Sequence, residues 1–270
     1  FTGALYNKAR IEGIAHGNIT ADETVTLTRM LQSLLNSTPL NKEDTFKQAI
    51  LVEKANDPLT YIERLETNNS CLWKTVYLGS ETPELRMAAR IIDKFISQPF
   101  YTEMRTKQQL GYIVSSAAQE DNGQHYLFFI VQSESHPADD IRERADRFID
   151  TLPPEFKALP DADFAQFKTA VKTELLQKPK SIMEKAMLFD RLTFEYNKDF
   201  NRKDEDLNAL DGLTKAQVLK ILSESINPAT RKTVDILLFA RQHTIKPETK
   251  ASIEVIDKFK IGREFVKRGE

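Results

Sequence analysis

Apolar and polar positions along this chain follow two rhythms, one of three and four residues and one of two. In TADETVTLTRMLQSLL, from Thr20, the residues Leu27, Met30, Leu31 and Leu34 form a stripe that predicts an amphipathic helix. Thr20 and Glu23 are a capping-box pair for its start. Ahead of it, the apolar run Ile11 to His16 reads as a short strand followed by a turn, and behind it NSTPLN (Asn36 to Asn41) is polar, proline-broken linker. Strand-like stretches follow at Gln48 to Lys54, Thr60 to Leu65 and Cys71 to Leu78, the last alternating as a half-buried strand does. Leu85 to Gln98 is a clear helix, with Leu85, Ala88, Ala89, Ile92, Phe95 and Ile96 on one face. Pro99 then predicts a restart into a second, short helix that stops at Gly111 in a left-handed cap.

Tyr112 to Gln119 and His125 to Ser133 read as strands around EDNGQ, whose Asn-Gly pair signals a hairpin. Helices are predicted over Asp139 to Leu152, stopped by Pro153-Pro154, then Asp161 to Gln177, Lys180 to Tyr196 and Thr214 to Ile226. KDED (Lys203 to Asp206) reads as solvated loop. A last strand, Thr233 to Ala240, precedes a charged tail, and no internal repeat is found. Hairpin-joined strands, then helices, then a closing strand favour an α+β fold, a largely antiparallel sheet packed against helices, over a wound parallel sheet.

The length of 270 residues permits one large domain, or one domain plus part of another. With 40% hydrophobic and 29% charged residues the chain has an ordinary globular balance. The net charge of −2, from 38 basic and 40 acidic residues, comes without a polybasic block, which argues against nucleic acid and anionic membrane surfaces as partners. No apolar run reaches the length of a membrane span, so no membrane insertion is expected. The single cysteine, Cys71, rules out an internal disulfide and leaves the compartment open. The N-terminal FTGALYNKARIEG has none of the features of a signal peptide and begins inside a patterned stretch, so the expectation is a piece of a longer polypeptide.

Candidate catalytic groups are thin. The four histidines, His16, His125, His136 and His243, form no HExxH, no HxxEH and no i, i+4 pair. His136 stands near Glu134, Asp139 and Asp140; a metal site is one reading of those letters, and a loop capping the next helix is the commoner one. His125 reads as a strand-end surface residue, His16 as a strand-end histidine bonded to backbone, and Cys71 as a packing thiol. No phosphate-cradling glycine loop and no G-x-S-x-G elbow occurs.

RTKQQLGY (Arg105 to Tyr112) sets a rigid fork of donors and a phenol donor at the two ends of one short stretch, with a glycine between them. An exposed arginine beside a core-edge tyrosine explains the same letters without any chemistry.

IEGIAHGNIT, QPFYTEMRTKQQLGYIVSS, LFFIVQSE, LLQKPKS and LTKAQVLKILSESI followed by TVDILLFAR occur in an order that resembles the pitrilysin/insulinase group of inverzincin metallopeptidases. More narrowly, the chain looks like the C-terminal part of insulin-degrading-enzyme-like members, over nearly its whole length and least between Thr38 and Asn69 and after His243. The resemblance implies an α+β metallopeptidase domain of the LuxS/mitochondrial-processing-peptidase-like kind. It implies residues 1–40 as the end of a preceding homologous domain, 41–243 as the C-terminal domain and 244–270 as a charged tail. In such proteins the N-terminal half carries HxxEH and the zinc, and the C-terminal half supplies an arginine and a tyrosine across a closed chamber. By the motif these are Arg105 and Tyr112. With HxxEH absent here, the resemblance implies zinc in the N-terminal half of the parent chain, none in this fragment, peptides as substrates, and no activity for the fragment alone. The alternative is a non-catalytic relative that serves as a peptide-binding or scaffold subunit.

Overall fold

The computed structural model describes residues 6–46, 48–52, 54–55 and 58–267. In chain order its elements begin with β1 (Lys8–Ala9), α1 (Ala21–Leu35), β2 (Thr38–Pro39), β3 (Ala49–Leu51), β4 (Leu59–Arg64) and β5 (Ser70–Ser80). Then come α2 (Pro83–Tyr101), a π-helical turn (Thr102–Lys107), β6 (Val114–Asp121), β7 (Gln124–Ser133), α3 (Ala138–Ala158) and α4 (Asp161–Leu176). The rest are α5 (Ile182–Asp190), a second π turn (Arg191–Glu195), α6 (Arg202–Gly212), α7 (Lys215–Ile226), β8 (Thr233–Phe239), the short α8 (Ile256–Phe259) and β9 (Phe265–Lys267). These fall into two compact units, one of residues 6–49, 178–200 and Lys267, the other of Ile50–Gln177 and Asn201–Val266.

The first unit contains α1, whose start is the capping box expected from Thr20 and Glu23: Glu23 accepts from the Thr20 backbone N–H at 2.7 Å. Its apolar stripe forms as well, yet Leu27, Met30, Leu31 and Leu34 are all exposed. Ile11 to His16 is not a strand; the strand pairing near it is that of β1 with β2, in parallel. His16 lies edge-on to Phe189 at 5.1 Å, and its Nε2 has no hydrogen-bond partner, contrary to the expected backbone bond.

The second unit is built on a five-stranded sheet in the order β4-β8-β5-β7-β6. Only the β4–β8 pair is parallel; β8–β5, β5–β7 and β7–β6 are antiparallel, so the α+β, largely antiparallel expectation holds. Along β5 the side chains of Leu72, Lys74, Val76 and Leu78 are buried in alternation, as period-two geometry requires. The β6–β7 hairpin turns on Asn122 (φ 52°) and Gly123 (φ 75°), the pair of left-handed residues that a tight hairpin with right-handed strand twist demands. At the free edge of β6, Asp93 of α2 accepts from the Ala118 backbone N–H at 3.1 Å.

Helix α2 is buried on nearly all sides, with Met87, Ala88, Ile91, Ile92 and Phe100 fully enclosed. Thr82 caps it, accepting from the Leu85 N–H at 3.1 Å, and Pro83 occupies the first turn. Three elements differ from the sequence reading. Pro99 does not restart a helix, because α2 runs through it; Pro153-Pro154 do not end α3, which continues to Ala158; and KDED lies in α6. In α3 the side chains of Leu152 and Phe156 on either side of the prolines are fully buried, and Phe156 stands edge-on to Phe95 at 5.0 Å. Burying each such side chain contributes about 1.5–3 kcal/mol, enough to offset the hydrogen bonds a proline removes.

One inward position of β5 carries a charge. Lys74 is almost fully buried and pairs with Asp235 of β8 at 2.6 Å and Asp146 of α3 at 3.2 Å. Asp146 also takes Arg231 at 3.2 Å, so the network fastens α3 to the sheet. Lys74→Ala leaves the Asp235 carboxylate enclosed without its partner and is expected to cost about 3–5 kcal/mol in a urea denaturation series.

Candidate functional site

Pro99 has no N–H to give the carbonyl four residues earlier, and beyond it the chain keeps α register only as far as Tyr101. The Thr102 N–H is shared between the carbonyls of Gln98 and Pro99. The chain then widens into the π turn, where the Gln108 N–H reaches the Glu103 carbonyl, five residues back, at 3.0 Å. The Leu110 N–H reaches Met104 at 3.0 Å. Met104 and Leu110 are both buried in the core, so the two ends of the turn are held from inside.

The left-handed residue is Gln109 (φ 53°), not Gly111 as the sequence reading expected. Gly111 serves another need. A Cβ there would collide with the backbone carbonyl of Gln132 on β7, so only glycine lets the chain pass this close. The Gln132 N–H then bonds the Ile113 carbonyl at 2.9 Å, which fixes Tyr112 between two anchored neighbours.

Arg105 and Tyr112 are brought together. The guanidinium carbon lies over the phenol ring, 5.3 Å from its centroid. Tyr112 is 84% exposed. Neither the guanidinium nor the phenol hydroxyl has a hydrogen-bond partner among the described residues, and Arg105 is half-buried beside the exposed ring. A cation–ring contact of this exposed kind is worth about 0.5–1 kcal/mol, enough to bias the two side chains towards one place without locking them. Beside the π turn runs a groove of about 560 Å³ between Gln98, Glu103, Gln108, Arg144 and Phe148; neither Arg105 nor Tyr112 lines it.

A second cluster escaped the sequence reading. His125 is buried rather than on the surface, and hydrogen-bonded to Glu81. Burial lowers the His125 pKa from 6.5 to about 4, with Arg86 and Arg202 acting in the same direction and Glu120 opposing. Around it Arg86 binds Glu81 and Asp206, the latter at 2.5 Å, and Arg202 binds Glu81 at 3.3 Å and Glu120 at 2.5 Å. Burial pushes the Asp206 carboxyl up, against the pull of Arg86. Glu81, Glu120 and His125 bring ligand atoms within 4.8 Å of one another. The two guanidiniums already occupy those carboxylates, so the donor set does not fit a metal ion. A run of charged letters hid α6: its buried positions are Arg202, Asp206 and Leu210, four apart, and two of the three are ionic. That spacing was the available signal.

The remaining candidates are structural. Ser135 Oγ meets His136 Nδ1 at 2.9 Å, while the enclosed Asp139 carboxylate turns away to accept from the Lys246 N–H at 3.0 Å and Thr249 Oγ1 at 3.1 Å. Cys71 is half-buried, which pushes its thiol up and keeps it an inert packing group.

Residues 91–189 match the family described as PQQ synthase PqqF-like, C-terminal lobe domain 4. The chain is 26% identical over 251 residues to human insulin-degrading enzyme, an alignment covering 90% of this chain and 24% of that protein. It is 26% identical over 232 residues to Protease 3 of Escherichia coli, covering 84% of this chain and 23% of the relative. It therefore spans about a quarter of the length of the curated relatives it matches. The crystal structure of pitrilysin superposes with a TM-score of 0.77 at 20% identity, over 93% of this chain and 27% of that one.

Two outcomes are expected from this geometry. Gly111→Ala should destabilise the protein by about 1–3 kcal/mol, the range for forcing an extra methyl into packed space, read from the shift in a denaturation midpoint. Between pH 6.5 and about 4 the unfolded chain takes up a proton at His125 that the folded chain does not. Stability from this group therefore falls as pH drops through that window, and His125→Gln should flatten the slope in denaturation midpoints measured against pH.

Proposed function

Taking the chain as corresponding to the C-terminal region of a pitrilysin/insulinase-family protein, we propose that it is the non-zinc-binding half of a zinc metalloendopeptidase. Residues 1–40 are then the end of the preceding homologous domain, 41–243 the C-terminal domain and 244–270 its tail. The zinc belongs to the N-terminal half of the parent chain, where it supplies an activated water; this fragment holds none. Peptides are the substrates, enclosed between the two halves.

The observation that carries this reading is the Arg105–Tyr112 pair, with the guanidinium 5.3 Å from the centroid of an exposed phenol ring. A phenol donates one hydrogen bond along a narrow direction, which suits an oxygen that gains negative charge as the scissile carbonyl becomes tetrahedral. The guanidinium presents several donors in a plane and holds a neighbouring substrate carbonyl. Neither group attacks, and neither exchanges a proton irreversibly; both lower the energy of a charge that develops elsewhere.

In the parent protein, Tyr112→Phe is expected to lower kcat for peptide cleavage about 100-fold to 1,000-fold, the usual effect of losing one such donor, with a smaller change in KM. Arg105→Ala should raise KM and lower kcat together. Full activity in both variants, or peptide cleavage by the isolated fragment, would overturn the proposal. Zinc analysis of the parent protein separates it from the scaffold-subunit alternative, which predicts no stoichiometric metal.

A further inference from the structure

The π turn that carries Arg105 is closed by a chain of side-chain contacts that the chemistry above does not use. Arg144 of α3 donates through Nε to Asp140, one turn earlier on its own helix, at 2.9 Å. Through Nη1 it donates to the side-chain oxygen of Gln108, also at 2.9 Å. Gln108 Nε2 in turn donates to Glu103 at 3.0 Å, and Lys107 pairs with the other oxygen of Glu103 at 3.0 Å. These hydrogen bonds, that of Gln108 foremost, hold the Glu103 carboxyl below its ordinary range. Glu103 and Gln108 are also joined by the backbone bond that closes the end of the π turn. Backbone and side chains therefore close the same ring, and Arg144 ties that ring to a second helix.

The tie matters because a π turn holds one residue more than an α turn. Slipping back by one residue would rotate the chain beyond the turn by about 100°, the angle between successive residues of an α-helix. Arg105 sits inside the closed ring and Tyr112 a few residues past it. A slip would therefore move the guanidinium off the phenol and turn the two sets of donors apart.

We propose that Arg144 is a positioning residue for the Arg105–Tyr112 pair, acting through Gln108 and Glu103 to hold the π register; the role rests on the reading that this pair serves peptide hydrolysis. Arg144 touches no reacting atom. Its fork is what allows one side chain to hold Asp140 and Gln108 together, a task a lysine ammonium performs less well.

The test uses the parent protein. Arg144→Ala should lower kcat about tenfold or more and raise KM by less than Arg105→Ala does, as expected when reacting groups are displaced rather than lost. Arg144→Lys should restore part of the rate. In an Arg105→Ala/Tyr112→Phe background, Arg144→Ala should change the residual rate by less than about twofold, since the groups it positions are gone. Arg147→Ala, on the same helix, should leave activity as it is. An Arg144→Ala effect of equal size in both backgrounds, or no effect, overturns the inference. Undiminished activity of Tyr112→Phe overturns the functional reading instead. In that event amide hydrogen exchange at residues 108–113 decides: faster exchange in Arg144→Ala with β7 unchanged supports the positioning role, and unaltered exchange overturns it.

Discussion

A helical turn with one residue too many sacrifices hydrogen-bond geometry, and between Thr102 and Lys107 the compensation comes from enclosure of Met104 and Leu110. Both side chains are withdrawn from water within one π turn and the few residues after it. The backbone between them has too many atoms to lie flat in α register and is forced outward. Arg105 is carried on that excursion, and Tyr112 comes after the chain has squeezed past the Gln132 carbonyl at Gly111. The meeting of guanidinium and phenol thus depends less on their own attraction than on two apolar anchors and one missing side chain.

Charge inside this fold is used as fastening. Lys74 with Asp235 and Asp146 joins helix to sheet, and the cluster of Arg86, Arg202, Glu81, Glu120 and Asp206 around His125 joins α2, α6 and the β6–β7 hairpin. In each, cations and carboxylates are nearly matched in number, which is what permits burial at all. The second cluster has the ligand types of a metal centre, a histidine and carboxylates at close range. Guanidiniums stand where a cation would, and the arrangement gains rigidity rather than Lewis acidity.

Much of the architecture was legible in the letters, and the failures have definite causes. The Thr20 capping box, the Asn-Gly hairpin and the alternation of β5 are local signals that tertiary structure had no reason to overrule. Pro99 and Pro153-Pro154 misled because local breakers were read without the buried side chains on either side of them. Helix α6 was missed because its inward positions are ionic, so hydrophobic periodicity had nothing to register. For the site, spacing alone could place Arg105 and Tyr112 near each other in sequence. It could not foresee the π turn, nor that Gly111 answers to a neighbouring strand instead of to its own dihedral angle.

The contact between Asp93 and the Ala118 N–H bears on what the border of the sheet can pair with. A border strand with open amides invites a second strand to lengthen the sheet, in solution by sticking to another copy and in a binding cleft by adding a ligand in extended form. Here that amide is satisfied by a carboxylate from α2. The border at β6 is closed to zipper-like pairing at this point, which guards against self-association.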